Sequence, residues 1–327
     1  MPKNTNSSTI YVMSTFFRKN GAFSAFVCGL LLACLFLFSA SRTSNGAPPP
    51  EAHTDTARVA LGKLLFYEPA LSGNYKRSCS SCHRPQKAYT DQRRVSLAFQ
   101  FTKNLSFNAP TLLNAGALPV YFHDGRFTKI EQIIDAVIDN PDELGCSYDT
   151  IAARLNQSDA YKIAFARAFP GQPSPLKVTI NAALAAFVRS LKSDNSAFDD
   201  WKKNNYLPQS TQLSVGYQLF MIPNACGGCH QPPLFGGQIG VKRVLPLRNV
   251  AVTPPYFQNG SEINLLNAAK RCGAENSPES HRWNLEKWRA VAFFLEALTD
   301  TTTADKTEPV SLPLMPNAPR RTVGGTY

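Results

Sequence analysis

Residues 78–86 read SCSSCHRPQ, and residues 225–231 read ACGGCHQ. Each holds two cysteines separated by two residues, with a histidine directly after the second: Cys79, Cys82 and His83, then Cys226, Cys229 and His230. A bare pair of this spacing suits half a zinc site, a redox couple or a disulfide. A zinc site takes four ligands, usually from two such pairs, but here the pairs lie 147 residues apart and each has its own histidine. A thioredoxin-type pair calls for a βαβ setting, which the sequence lacks. The full pattern fits covalent haem attachment: each thiol adds to one vinyl group, and the adjacent histidine binds the iron axially. Two covalently bound haem c groups are therefore expected, with His83 and His230 as the iron ligands.

The chain has 327 residues, enough for two domains with buried cores. Apolar residues make up 43% of it, with 21 Phe and 11 Tyr, which excludes a disordered chain. The net charge is +11. Residues 1–20 carry Lys3, Arg18 and Lys19 without an acid, and residues 21–38, GAFSAFVCGLLLACLFLF, are apolar or small throughout. Small residues suited to cleavage follow near Ser41 and Ala47. Residues 1–47 are thus expected to be a signal peptide, with an uncleaved inner-membrane anchor through 21–38 as the alternative. The segment holds four basic residues and no acid, so without it the net charge is +7. No block of like charges lies behind that remainder. It reads as a solvated basic surface that favours an acidic partner, and not as a nucleic-acid site. Export places the chain in the periplasm, where thiols meet an oxidising environment.

Helical spacing recurs along the chain. Apolar residues follow it over 57–67, over 128–139 (Ile130, Ile133, Ile134, Val137, Ile138), over 176–192 (Ile180, Leu184, Phe187, Val188, Leu191) and over 282–298 (Trp288, Val291, Leu295, Leu298). No long alternating pattern predicts a strand. The expected fold is mainly α, with long loops. Residues 48–205 form an N-terminal haem domain, 206–300 a C-terminal haem domain, and 301–327 a loose Pro-rich tail. The halves echo each other. After the first motif come NAPTLLNAG (108–116) and YFHDG (121–125); after the second come LRNVAVTPP (247–255) and YFQNG (256–260).

These segments, with LGKLLFYEPALSGNYKRSCSSCH, NPDELG and SDNSAFDDW, resemble the bacterial di-haem cytochrome c peroxidase family, including its MauG-type relatives, over about residues 60–298. The resemblance implies two cytochrome-c-like helical domains with a calcium ion between them. It implies a peroxide-reacting N-terminal haem and a C-terminal haem that passes electrons. Glu143 falls at the family's catalytic glutamate, where a carboxylate moves a proton from one peroxide oxygen to the other so that the O–O bond breaks. Asn108, Thr253 and Pro255 fall at calcium positions, which supply oxygen donors.

The chain departs from the family pattern at four places. Residues 84–107 contain no histidine, so the first haem is expected to be open without an activation step. His123 stands where the family often has an inter-haem tryptophan, either as a redox element or as a hydrogen-bonded turn residue. Gln258 replaces a common histidine. Cys272 stands fourteen residues beyond Gln258, where a methionine usually ligates the second iron. Cys272 is either that ligand, as a thiolate, or, with Cys146, half of a disulfide or a simple free thiol. The expected activity is a hydrogen-peroxide-dependent oxidation of a periplasmic protein partner, leaning to the MauG-type oxidation of a tryptophan side chain. The alternatives are a peroxidase fed by a small redox protein and a non-enzymatic electron-transfer cytochrome.

Overall fold

The computed structural model describes residues 50–204, 210–240, 242–300, 302 and 304–326; the expected export segment lies outside the described residues. Among them are ten α-helices: α1 Pro50–Phe66, α2 Cys79–Cys82, α3 Ile130–Asp139, α4 Tyr148–Leu155, α5 Asp159–Ala168, α6 Lys177–Ser190, α7 Ala197–Asn204, α8 Ser210–Phe220, α9 Leu265–Asn276 and α10 Leu285–Glu296. The one ladder among the described residues joins β1 (Gly237–Ile239) to β2 (Lys242–Val244), antiparallel, with Gly237 opposite Val244.

The same construction appears twice. In the first half α1 crosses α6 at Gly62, where a Cβ would fall 1.9 Å from the Ala183 carbonyl oxygen and 2.9 Å from Phe187 Cβ. In the second half α8 crosses α10 at Gly216, where a Cβ would fall 2.2 Å from the Ala290 carbonyl oxygen and 2.9 Å from Phe294 Cβ. Only glycine allows backbones to approach this closely. The loops repeat as well. Asn114 and Asn249 both take the left-handed conformation, at φ 58 and φ 64. The Asn114 N–H donates to the Leu191 carbonyl at 2.8 Å, and Asn114 Oδ1 accepts from the Ser193 N–H at 2.8 Å. Correspondingly, the Asn249 N–H donates to the Leu298 carbonyl at 3.1 Å, and Asn249 Oδ1 accepts from the Asp300 N–H at 2.9 Å. Each asparagine therefore ties the loop after its cysteine motif to the end of the closing helix.

Two separate apolar clusters result. One joins α1, α5 and α6 through Leu65, Phe66, Phe165, Leu184 and Phe187. The other joins α8 and α10 through Leu213, Phe220, Phe235, Val291 and Phe294. Phe198 and Trp201 of α7 pack in the second cluster, although both precede position 205. Along the chain the first cluster runs to Leu191 and resumes only at Ala304, so the packing changes between Leu191 and Phe198 and not at 205/206.

The C-terminal segment departs from expectation: it is not a loose tail. Met315 is buried in the first cluster, and Leu312, Ala318 and Val323 pack against it. Arg321 pairs with buried Glu68 at 3.0 Å, and Glu68 also accepts from the Tyr161 hydroxyl at 2.7 Å and the Ala70 N–H at 2.9 Å. Burial pushes the Glu68 carboxyl up, against the opposing pull of Ala70 N–H, Arg321 and Tyr161. The Gly324 carbonyl accepts from Ser78 Oγ at 2.8 Å and Ser81 Oγ at 2.9 Å, on either side of Cys79. Lys76 accepts the Thr326 N–H at 2.7 Å. Residues that carry few apolar groups are thus fixed by charge and backbone pairing.

Removing one member of a buried ion pair leaves the other uncompensated. Arg321→Met is expected to lower stability by roughly 3 kcal/mol in urea unfolding. Adding Glu68→Gln should recover most of that loss. A change below about 0.5 kcal/mol, the range of ordinary surface substitutions, would mean that the tail adds nothing to the fold.

Candidate haem sites

Helix α1 ends at Phe66, and the chain turns through Glu68–Ser72 into the first cysteine motif. Ser78 caps α2: the Ser78 N–H donates to Ser81 Oγ at 3.0 Å. The short helix places Cys79 and Cys82 one turn apart and delivers His83 at its end. His83 Nδ1 lies 3.1 Å from the Tyr89 carbonyl. A carbonyl can only accept, so the proton sits on Nδ1 and Nε2 keeps its lone pair. Burial holds the imidazole below the usual histidine range, against the Tyr89 carbonyl, which favours the charged form. The second motif repeats this: His230 Nδ1 lies 2.9 Å from the Phe235 carbonyl, and burial again lowers its pKa. Tyr89 and Phe235, whose carbonyls accept in these clamps, both have positive φ, at 58 and 54. Each histidine is therefore a neutral imidazole whose Nε2 lone pair is free, a state that suits an axial iron ligand.

A cavity of about 410 Å³ opens at the first motif, lined by Cys79, Cys82, His83, Asn108, His123 and Glu143 among other residues. Its apolar walls include Phe66, Leu184 and Val188. Two thiols, a neutral imidazole and apolar walls fit a covalent haem. Burial pushes the Cys79 thiol up to about 12, and the Cys82 thiol adds to this. Residues Ser96, Leu97, Leu105, Ser106 and Phe107 bring the loop 84–107 to the wall, without a histidine.

Glu143 reaches the cavity because α3 stops where it does. Pro141 disfavours helix at Asn140, which is extended at φ −68, ψ 117. The turn closes with the Glu143 and Gly145 N–H groups both on the Asn140 carbonyl, at 3.0 and 2.9 Å. The adjacent acids then part. Asp142 pairs with Lys103 at 2.9 Å on the surface. Glu143 Oε2 is buried without a hydrogen-bond partner. Burial pushes the Glu143 carboxyl up to about 7, beyond what its hydrogen bond from Asn140 offsets, and Asp142 raises it further.

The remaining sequence candidates fall as follows. Asn108 and Pro255 meet: Asn108 Nδ2 donates to the Pro255 carbonyl at 3.2 Å and to the Phe257 carbonyl at 2.8 Å. A half-turn of this amide would aim Oδ1 there, as a cation requires. Thr253 is nearby in the same loop, its hydroxyl on the Val250 carbonyl at 3.2 Å. Among the described residues no three His, Cys, Asp or Glu side chains gather at one point. His123 stacks on Phe107 with ring centroids 4.0 Å apart, and its Nδ1 has no partner, so it is not a hydrogen-bonded turn residue through that atom. Cys146 and Cys272 are both free thiols. Cys146 lies in the first cluster, 3.6 Å from Arg154 Nη1. Cys272 lies on α9, where its thiol is pushed up by burial and by Cys229. The alternative disulfide is therefore not formed.

Two residues escape sequence reasoning. Arg248, in LRNV, is mostly buried and forms a two-pronged bond to Asp199, at 2.7 and 2.6 Å, joining α7 to the loop after the second motif. Arg243 on β2 lines the first cavity. No motif marks Arg243, and the quoted LRNVAVTPP segment points to no role for Arg248.

A mainly helical chain with two such histidines has the features of a c-type cytochrome with two haem seats. The comparisons narrow this. The model of the di-haem cytochrome c peroxidase family matches residues 56–206. The chain is 30% identical over 259 residues to the methylamine utilization protein MauG of Methylophilus methylotrophus, covering 71% of this chain and 77% of that one. It is 30% identical over 255 residues to the cytochrome c peroxidase Ccp of Escherichia coli (strain K12), covering 68% of this chain but only 54% of that protein, about half its length. The crystal structure of a MauG-like protein associated with microbial copper homeostasis superposes with a TM-score of 0.66 at 25% identity, over 75% of this chain and 89% of that one. The chain belongs to the di-haem cytochrome c peroxidase family, and membership implies two c-type haems.

Proposed function

We propose that the chain is an exported di-haem peroxidase, periplasmic or anchored through residues 21–38, in which hydrogen peroxide reacts in the Glu143 cavity and the oxidising equivalents pass to a protein partner. The observation that carries this reading is the buried, unpartnered Glu143 Oε2 in the cavity of Cys79, Cys82 and His83. A buried polar atom without a partner is costly in a static structure. It is useful where protons move. An electron carrier has no need of one.

Bound at His83, haem would supply the two-electron reduction of peroxide. Glu143 supplies the proton path. Its carboxylate takes the proton from one peroxide oxygen onto Oε2 and returns it to the other, which leaves as water. The apolar walls exclude bulk water from this exchange. The loop 84–107 offers no histidine to close the cavity, which supports an open site in the oxidised protein.

Cys226, Cys229 and His230 would hold a second haem, which would supply a place for the other oxidising equivalent. We assign Cys272 as its second iron ligand. Burial pushes the Cys226 thiol up to about 12, and the next largest cause is Cys272, ahead of Cys229 within the same motif. The Cys272 thiol is thus near enough for its charge to be felt at the second motif, and Cys229 in turn raises the Cys272 thiol. Asn108, Thr253 and Pro255 are assigned to one calcium ion. The partner is a protein whose side chain, a tryptophan, is oxidised as in MauG-type chemistry. The absent loop histidine and the absent methionine ligand favour this over a small redox protein as electron donor.

Glu143→Gln is expected to slow the reaction with peroxide by about 10² to 10⁴, measured by stopped flow, with both haems retained. In the unmodified protein the carboxylate form is the acceptor. The rate should therefore rise with pH through about 7 and level off above it, following the raised Glu143 carboxyl. An unchanged rate in the variant would remove Glu143 from the mechanism. Cys272→Ala is expected to abolish a thiolate-type low-spin EPR signal. A low-spin signal that survives the substitution would exclude that ligand.

A further inference from the structure

The wall of the first cavity carries two buried nitrogens that lack acceptors. Arg243 comes from β2, which follows the second motif in sequence but lines the first motif's cavity. Its Nη1 donates to the Phe122 carbonyl at 2.7 Å. Its stem runs beside the Asp124–Gly125 turn, where a Cβ on Gly125 would stand 3.5 Å from Arg243 Cβ. With the guanidinium held at that end, Arg243 Nε is buried and has no partner. One residue from Phe122, His123 Nδ1 is also buried and unpartnered.

The imidazole is fixed without that nitrogen. Its ring lies on Phe107, at 4.0 Å between centroids and 33° between planes, and its edge meets Phe122 at 5.8 Å. Its backbone carbonyl accepts from Gln258 Nε2 at 3.3 Å. Burial, and then the Arg243 charge, lower the imidazole pKa to about 4, against the pull of Asp124. The ring is neutral and can donate from Nδ1. Glu143, the carboxylate of the same cavity, bonds to neither nitrogen. Asp124 pairs with Arg126.

Buried donors are nearly always matched by acceptors. Both residues line the same cavity, so the acceptor is expected from the cavity's occupant, and it must suit a guanidinium N–H and an imidazole N–H on one wall. A carboxylate does so. Haem carries two, its propionates. We propose that Arg243 and His123 together seat a propionate of the first haem, so that a residue beyond the second cysteine motif anchors the cofactor of the first. This rests on the two-haem reading above. It gives His123 a positioning role in place of the redox role expected for an inter-haem aromatic residue. It also gives the β1–β2 ribbon a purpose: the ribbon carries a cation across from one haem-binding half to the other.

The test compares the holoprotein with Arg243→Leu and His123→Phe, reading the low-frequency propionate bending bands by resonance Raman and the two midpoint potentials by titration. In Arg243→Leu one haem's propionate band should shift and its midpoint potential should fall, because a positive charge that favours the reduced iron is gone. The other haem should keep both values. His123→Phe should shift the same band with a smaller change in potential. Where the leucine variant does not fold, Arg243→Lys keeps the charge and a donor for the Phe122 carbonyl, and should retain the potential while shifting the band. Unchanged bands and potentials in the variants, with two haems bound, would overturn the propionate seat alone. Fewer than two covalent haems per unmodified chain, counted by pyridine haemochrome, would overturn the functional reading on which it stands.

Discussion

Two helix crossings without side chains between them hold this molecule's two halves in shape. At Gly62 and Gly216 a methyl group would lie 1.9 and 2.2 Å from a carbonyl oxygen of the opposing helix. Alanine is the better helix former by about 1 kcal/mol, yet that preference is small against a collision with backbone. Close packing therefore decides the residue. The consequences run outward from each crossing. The first helix of the pair leads into a cysteine motif, the second ends where an asparagine in the left-handed conformation ties it to the following loop. The motif, the loop and the closing helix thus hold fixed positions, and the histidine clamps at the Tyr89 and Phe235 carbonyls follow from them.

The halves then diverge in what surrounds their histidines. The first has a cavity lined by residues with unmatched buried polar atoms, among them Glu143 Oε2, Arg243 Nε and His123 Nδ1. Adjacent acids separate into a surface partner for Lys103 and a buried carboxyl, because Pro141 ends α3 and sets the turn. The C-terminal segment braces the same region from outside. It neutralises Glu68, bridges Ser78 and Ser81, and takes the Tyr89 hydroxyl on the Asp305 carbonyl. The residue whose backbone aims His83 is therefore itself held from both ends.

Local chemistry was legible in the sequence and distant pairing was not. The cysteine–histidine motifs needed only their spacing. Helices α3, α6 and α10 showed through apolar periodicity because each buries one face. The internal echo was readable as a pattern, and its meaning emerged as shared backbone geometry at Asn114 and Asn249. The tail misled because its polar, Pro-rich composition resembles loose chain. What orders it is the burial of Met315, charge pairs from Arg321 to Glu68 and from Asp305 to Lys63, and backbone bonds to residues some 250 positions earlier. The division between the halves was placed at a polar stretch, whereas Phe198 and Trp201 follow their aromatic neighbours into the second core. Arg243 lies in no motif, and only its geometry distinguishes it from other surface cations.

The central claim is an oxidised protein with one open, peroxide-reactive haem beside Glu143. It is tested most directly by low-temperature EPR of the ferric holoprotein, before and after one equivalent of hydrogen peroxide. The account predicts a high-spin signal beside a low-spin one, with the high-spin signal lost within the mixing time. Two low-spin signals that persist unchanged with peroxide would contradict it.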